Sequence, residues 1–345
     1  MAVMDYASWS PASLSKWDTS PRSPKMLEPG ALGRGVPCMS LANVAISSNP
    51  AQDMITFVLD KIWLEPCTSD MEVRVWRSTL ESQALQYRYL DYSAASLWTL
   101  YHSFQDGSAS AFLRMHAYRY NLSASDLFRK SKDLVITKEN WFAVLSFGVT
   151  VVIFHLAAAQ VNKEDNHDFL EIFRIFRQTS NVAQATVPFF HMSHLKVYVD
   201  IQKRLSQTAL DGEIWSAVNA LDDIPFVEDA PKWAIEACRD AIANLKDWVR
   251  ETNGLPRSWT HFFRWPGTVS NDYVKVLANR DDAALLIFVY WCTIMNRSPK
   301  RWFMEDWACR DSQAAIASMR SKSTHLLDWP REVLTNQNIV RRGYE

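Results

Sequence analysis

Beyond Met54 apolar residues return every three or four positions, the spacing of one face of an α-helix. Leu113, Ala117, Tyr120, Ala124 and Leu127 predict one such stripe, with Arg114, Arg119, Asp126 and Arg129 largely off it. Phe169, Ile172, Phe173 and Phe176 predict a second face, and Ala234, Ala237, Ala241, Leu245 and Trp248 a third. Two stretches are apolar all round: WFAVLSFGVTVVIFHLAAAQ from Trp141 to Gln160, and AALLIFVYWCTIM from Ala283 to Met295. A helix without a polar face belongs at the centre of a large domain or in a bilayer. The second run is too short to span a membrane and the first is long enough. Ser146, Thr150, His155 and the closing Ala-Ala-Ala-Gln, with amphipathic helices on either side, favour burial, so no membrane span is expected.

Punctuation between the stripes marks helix ends. Thr137 can cap the helix that follows, with Glu139 placed where the helix dipole favours a negative charge. Asp168 is a cap for the next helix, and Asp281-Asp282 suits the start of the second greasy one. Pro188 is expected to interrupt or restart helix, and Asp222 to Ala230 reads as a loop before Pro231, which should take the first helical position. Asn253-Gly254-Leu255-Pro256 reads as a stop, with glycine in the left-handed cap. Asn296 to Pro299 turns the chain, and Trp302, Trp307, Ala308 and Ile316 continue helical patterning as far as Trp329-Pro330. No segment alternates apolar and polar residues between Gly or Pro turns, so no sheet is expected.

The expected fold is therefore all-α: one large irregular helical domain, residues 46–345, around two very apolar central helices. Residues 1–45 hold Ser10-Pro11, Ser20-Pro21, Ser23-Pro24 and a glycine run at 30–35, and read as a flexible leader. That run is G-x-x-G-x-G with no strand before it, the wrong spacing and context for a dinucleotide loop. Lys+Arg 37 against Asp+Glu 38 leaves a net charge of −1, so no bulk field draws the chain to nucleic acid, and no direct nucleic-acid binding is expected. Five scattered cysteines, Cys38, Cys67, Cys238, Cys292 and Cys309, form no C-x-x-C pair and point to a reducing intracellular compartment, nucleus or cytoplasm. The unusual number is 15 Trp, each a large flat wall for a core or a ligand.

Catalytic and metal signatures are weak. His191 and His194 could share a helical face, but lack the further ligands a metal needs, so no metal is expected. Asp222-Asp223 and Asp281-Asp282 lack the third carboxylate one turn on that a magnesium-diphosphate face requires, and read as helix-end charges. No G-x-S-x-G elbow, Walker loop or kinase set occurs, and no cofactor is expected. His155 stands apart as an imidazole in the middle of the most apolar helix, where it must find a partner or lose the solvation of its polar atoms. It is either a satisfied core histidine or the polar anchor of a greasy pocket. Thr150 and Tyr290 share that ambiguity, and with Phe154, Trp291 and Trp302 they complete the candidate ligand-pocket residues.

Residues 55–335 resemble the C-terminal regulatory region of fungal zinc-cluster transcription factors, the sterol-uptake-control type above all. The resemblance is carried by the segment from Tyr101-His102-Ser103-Phe104 to Leu127 and through Ile136-Thr137-Lys138-Glu139-Asn140 into the Trp141 helix. It is carried further by Phe173-Arg174-Ile175-Phe176-Arg177, and by 281–290, Arg301-Trp302, Glu305-Asp306-Trp307-Ala308 and Trp329-Pro330. It implies an all-α fold with a deep apolar cavity, sensing of a sterol- or terpenoid-like lipophile, and a link to transcription. A protein partner or homodimer is a second expectation. The family's six-cysteine DNA-binding cluster has no counterpart, since Met1 to Ala51 holds only Cys38, so the leader could be the linker of a truncated protein. The alternative is a cofactor-free enzyme of fungal secondary metabolism, a cyclase or a pericyclase such as a Diels-Alderase. That chemistry needs only a shaped apolar cavity and a few hydrogen bonds, and so leaves no motif.

Overall fold

The computed structural model describes residues 56–62, 70–105, 110–131, 135–161, 168–197, 209–321 and 325–342. The expected leader, residues 1–45, lies outside them. Among the described residues the chain is all-α, with no strand. The helices are α1 (Asp70–Gln86), α2 (Arg88–Gln105), α3 (Ser110–Lys130), α4 (Trp141–Val161), α5 (Phe169–Met192) and α6 (Gly212–Asn219), then α7 (Lys232–Thr252), α8 (Trp259–Thr268), α9 (Asn271–Ala278), α10 (Asp282–Met295), α11 (Trp307–Ser318) and α12 (Asp328–Arg342). They fall into two compact units, one reaching Val151 and one from Val152 onward, with the boundary inside α4.

In the first unit α2 and α3 form the most extensive pair. Small residues let their backbones approach: Ser93, Ser96 and Ser103 are buried on α2, and Ala117, Ala124 and Ser125 on α3. Ser93 and Ser96 donate back to carbonyls of their own helix, Tyr89 and Ser93, both at 2.8 Å, which satisfies the hydroxyls without a neighbour. The buried line of α3 runs through Ala117, Asn121, Ala124, Ser125 and Phe128, slightly rotated from the predicted stripe, whose Leu113, Tyr120 and Leu127 are half-buried. Phe128 stacks on Phe147 of α4 at 4.4 Å between centroids, and Tyr89 meets both rings edge-on. Thr137 and Asn140 cap α4 reciprocally: Asn140 Oδ1 accepts from the Thr137 N–H at 2.7 Å, and Thr137 Oγ1 accepts from the Glu139 and Asn140 N–H groups.

The second unit is organised around α10, whose residues Ala283 to Met295 are all buried. Helices α7, α9, α11 and α12 pack against it. Asp281 starts α10 as predicted, accepting from the Ala283 and Ala284 N–H groups, and Asp168 starts α5 by accepting from Leu170. Asp282 turns outward to accept from the backbone N–H groups of Arg320 and Ser321, both at 2.9 Å. Asp222 lies in a single 3₁₀ turn, Ala220–Asp223, and pairs with Lys246. Both acidic pairs thus serve helix ends or ion pairs.

Helix α8 approaches α5 so closely at Gly267 that a Cβ there would stand 1.9 Å from Ser180 Oγ. Arg177 of α5 secures the same contact, donating to the carbonyls of Pro266 and Val269 and to Asn271 Oδ1.

Several boundaries differ from the sequence reading. Pro188 lies inside α5; it removes one ladder hydrogen bond near the helix end, and the buried apolar face holds the helix together. Pro231 is the cap itself, with ψ 137°, and the helix begins at Lys232. Asn253 as well as Gly254 adopts positive φ, 52° and 74°, so asparagine shares the left-handed stop. Trp302 sits in the turn before α11. Trp329 and Pro330 open α12, where a proline N–H would have had no intrahelical acceptor anyway.

Trp141–Gln160 is, among the described residues, the one helix long and apolar enough to cross a membrane. Its most apolar window is 72% buried, as in a core helix.

Candidate functional site

The second unit's interior is an aromatic cluster. Trp291 of α10 stacks on Trp265 at 5.3 Å and meets Phe173, Phe176, Phe288 and Trp307 within 6 Å. Such edge-to-face and offset pairs add about 1 kcal/mol each beyond simple burial. The polar atoms of this cluster divide into two groups. Trp265 Nε1 donates to Ala241, Trp248 Nε1 to His261 and Tyr273 Oη to Ala284, all to main-chain carbonyls. The indole N–H groups of Trp291 and Trp307, both enclosed, have no acceptor among the described residues.

His155 lies on the α4 residues that belong to this unit and is 5% exposed. Its Nδ1 stands 3.5 Å from Glu171 Oε1 in the first turn of α5. A carboxylate at that distance favours the charged imidazolium, but burial opposes it and prevails, holding the pKa at about 4. The ring is therefore neutral at pH 7. The Glu171 carboxylate favours the tautomer protonated at Nδ1, which leaves Nε2 as a bare acceptor. Nε2 is enclosed and has no hydrogen-bond donor among the described residues. Phe154 beside it is fully buried, 6.3 Å away and edge-on.

The other candidates are dispersed. Thr150 belongs to the first unit and donates to the carbonyl of Phe147 at 2.7 Å. Tyr290 and Trp291 are neighbours in sequence with different surroundings. Tyr290 donates to the Leu326 carbonyl and packs on Trp329, whereas Trp291 enters the aromatic cluster. Burial and nearby Asp328 push the Tyr290 phenol above its ordinary pKa, so it remains a donor. Trp302 meets Phe303 edge-on, and Phe303 stacks on Trp259. His191 and His194 are exposed on either side of the α5 terminus at Met192, so they do not share a helical face.

Glu171, the partner of His155, carried no sequence signal, because a first-turn glutamate is expected on any helix. The donor-bearing residues Gln160 and Arg310 were missed likewise. A charged residue three positions after Trp307, in a helix with a buried face, was the available hint.

Compared with known proteins, the chain matches no family model, no curated protein and no solved structure.

Proposed function

We propose that this chain is a transcription-factor-like regulatory module that encloses an apolar small molecule of sterol or terpenoid type, anchored by its hydroxyl group on His155. The observation that carries the reading is the neutral, enclosed imidazole whose Nε2 lacks a donor. Leaving a buried acceptor unmatched costs about 1–3 kcal/mol, and a ligand hydroxyl would recover that by donating to it. Apolar surroundings with one placed polar group are the usual composition of such a site. Phe154 supplies an apolar wall next to that acceptor, and Trp291 and Trp302 are candidates for further walls. The module would act inside the cell, in nucleus or cytoplasm, through a partner that itself touches DNA.

The test is titration with a fluorescent sterol and with its O-methyl ether. The wild type is expected to prefer the free hydroxyl at least tenfold, and His155→Phe to remove the preference while keeping the fold. Equal binding of alcohol and ether to the wild type, or no binding of either, overturns the reading.

One observation favours a second reading, a cofactor-free enzyme. An imidazole with Nδ1 toward a carboxylate and Nε2 free is oriented as a general base. A pKa of about 4 makes it a weak one, which ranks this reading second. Turnover of a polyene or terpenoid precursor by the purified chain, lost in His155→Phe, would put it first.

A further inference from the structure

Arg310 stands in the first turn of α11 and reaches the end of α4, where its Nη1 donates to the Ala159 carbonyl at 2.6 Å. The rest of its guanidinium is unmatched: Nε and Nη2 are both enclosed and have no acceptor among the described residues. Among the described residues no carboxylate pairs with it. Asp311, the next residue, is fully buried and lies close enough to Cys292 to raise that thiol's pKa.

Two further observations concern residues that flank this contact along the two helices. Gln160, adjacent to Ala159, also has an enclosed Nε2 without an acceptor among the described residues. Trp307, one turn before Arg310 on α11 and 1% exposed, has an enclosed indole N–H without one among the described residues.

Enclosing hydrogen-bond donors without acceptors is costly, most of all for a charged group. Among the described residues the acceptor that Arg310 uses is a carbonyl. The Nε–Nη2 edge of a guanidinium is the fork that matches two oxygens of a carboxylate or a phosphate.

We infer that the Arg310 Nε–Nη2 edge, assisted by Gln160 Nε2, receives an oxyanion, the carboxylate or phosphate either of a small free anion or of the polar end of an amphiphilic ligand. The site is independent of the His155 reading, which concerns a hydrogen-bond acceptor rather than donors.

The experiment titrates the full chain at low salt with three probes: inorganic phosphate, a fluorescent polyene fatty acid, and the methyl ester of that acid. Wild type is compared with Arg310→Gln, Arg310→Lys and Gln160→Leu, each checked for folding by circular dichroism. At least one anionic probe should bind the wild type and weaken tenfold or more in Arg310→Gln. Arg310→Lys keeps the charge and not the fork, and should lose at least threefold. Gln160→Leu leaves the arginine in place and should lose a similar amount, which keeps the test open if Arg310→Gln does not fold. Phosphate binding with the acid no better than its ester identifies a free anion. Acid binding at least tenfold tighter than its ester identifies an amphiphile's polar end. The inference is overturned if no anionic probe binds the wild type, or if binding is unchanged in the folded Arg310 and Gln160 variants. Loss of sterol binding with anion binding intact would sink the proposed function alone.

Discussion

Tyr290 donates its phenolic hydrogen to the carbonyl oxygen of Leu326 at 2.8 Å, joining the buried helix α10 to the 3₁₀ turn His325–Leu327 that leads into α12. The ring is 1% exposed, so no water can replace the donor if it is removed. Tyr290→Phe removes this buried hydrogen bond and should lower stability by about 1 kcal/mol. The measurement is the urea midpoint, with an unchanged slope showing that the native fold is retained.

Stability should also depend on pH through His155. Its folded pKa of about 4 lies below the ordinary 6.5, so the unfolded chain takes up a proton that the folded one refuses. The contribution is fully present above pH 6.5 and is lost as pH falls from there toward 4. The difference corresponds to roughly 3 kcal/mol. Unfolding free energies measured from pH 7.5 to 4.5 should fall less steeply in His155→Phe than in the wild type; parallel profiles would contradict the assignment.

Gly267→Ala should separate α5 from α8. The added Cβ would stand 1.9 Å from Ser180 Oγ and 2.8 Å from Ser180 Cβ, and overpacking of this kind costs about 2 kcal/mol. Ser180→Ala in the same chain should recover part of the loss, because it removes the nearer atom. A double-mutant cycle reads the coupling directly, and strict additivity would show that the helices do not meet there.

Thiol chemistry offers a check on the core. Burial raises the pKa of Cys238 to about 12 and holds Cys292 well above its ordinary value. Both side chains are essentially inaccessible. At pH 8 their alkylation should be on the order of 100-fold slower in the native chain than in denaturant, as followed by peptide mapping.

How much of this was legible without coordinates follows the range of each interaction. Thr137, Asp168 and Asp281 could be read as caps because a cap acts on N–H groups two or three residues ahead. The buried status of Ala283 to Met295 was equally plain, since a run with no polar face that is too short to span a bilayer belongs inside a domain. Helix boundaries were less secure where proline was involved. Pro188 was expected to interrupt or restart helix and lies inside α5, and Trp329-Pro330, read as the end of helical patterning, instead falls in the first turn of α12, where a proline is tolerated.

The candidate site was legible only in its first residue. His155 was conspicuous as a polar group in an apolar helix, yet its charge state depends on how deeply it is enclosed and on Glu171 from another helix. Tyr290 and Trp291 differ by one position, about 100° of helix, and that rotation sends one to a turn carbonyl and the other into the aromatic cluster.

The amino-acid order alone determined that this chain is helical, where most helices start, and which two runs must be withdrawn from water. These outcomes rest on backbone hydrogen bonds and side-chain periodicity within a few residues. Tertiary packing decided which buried polar atoms are left unmatched. Arg310 finds an acceptor at Ala159, 151 positions earlier, and no local pattern specifies a partner at that separation. The enclosed donors and the neutral imidazole therefore emerge only when distant helices exclude water from them together.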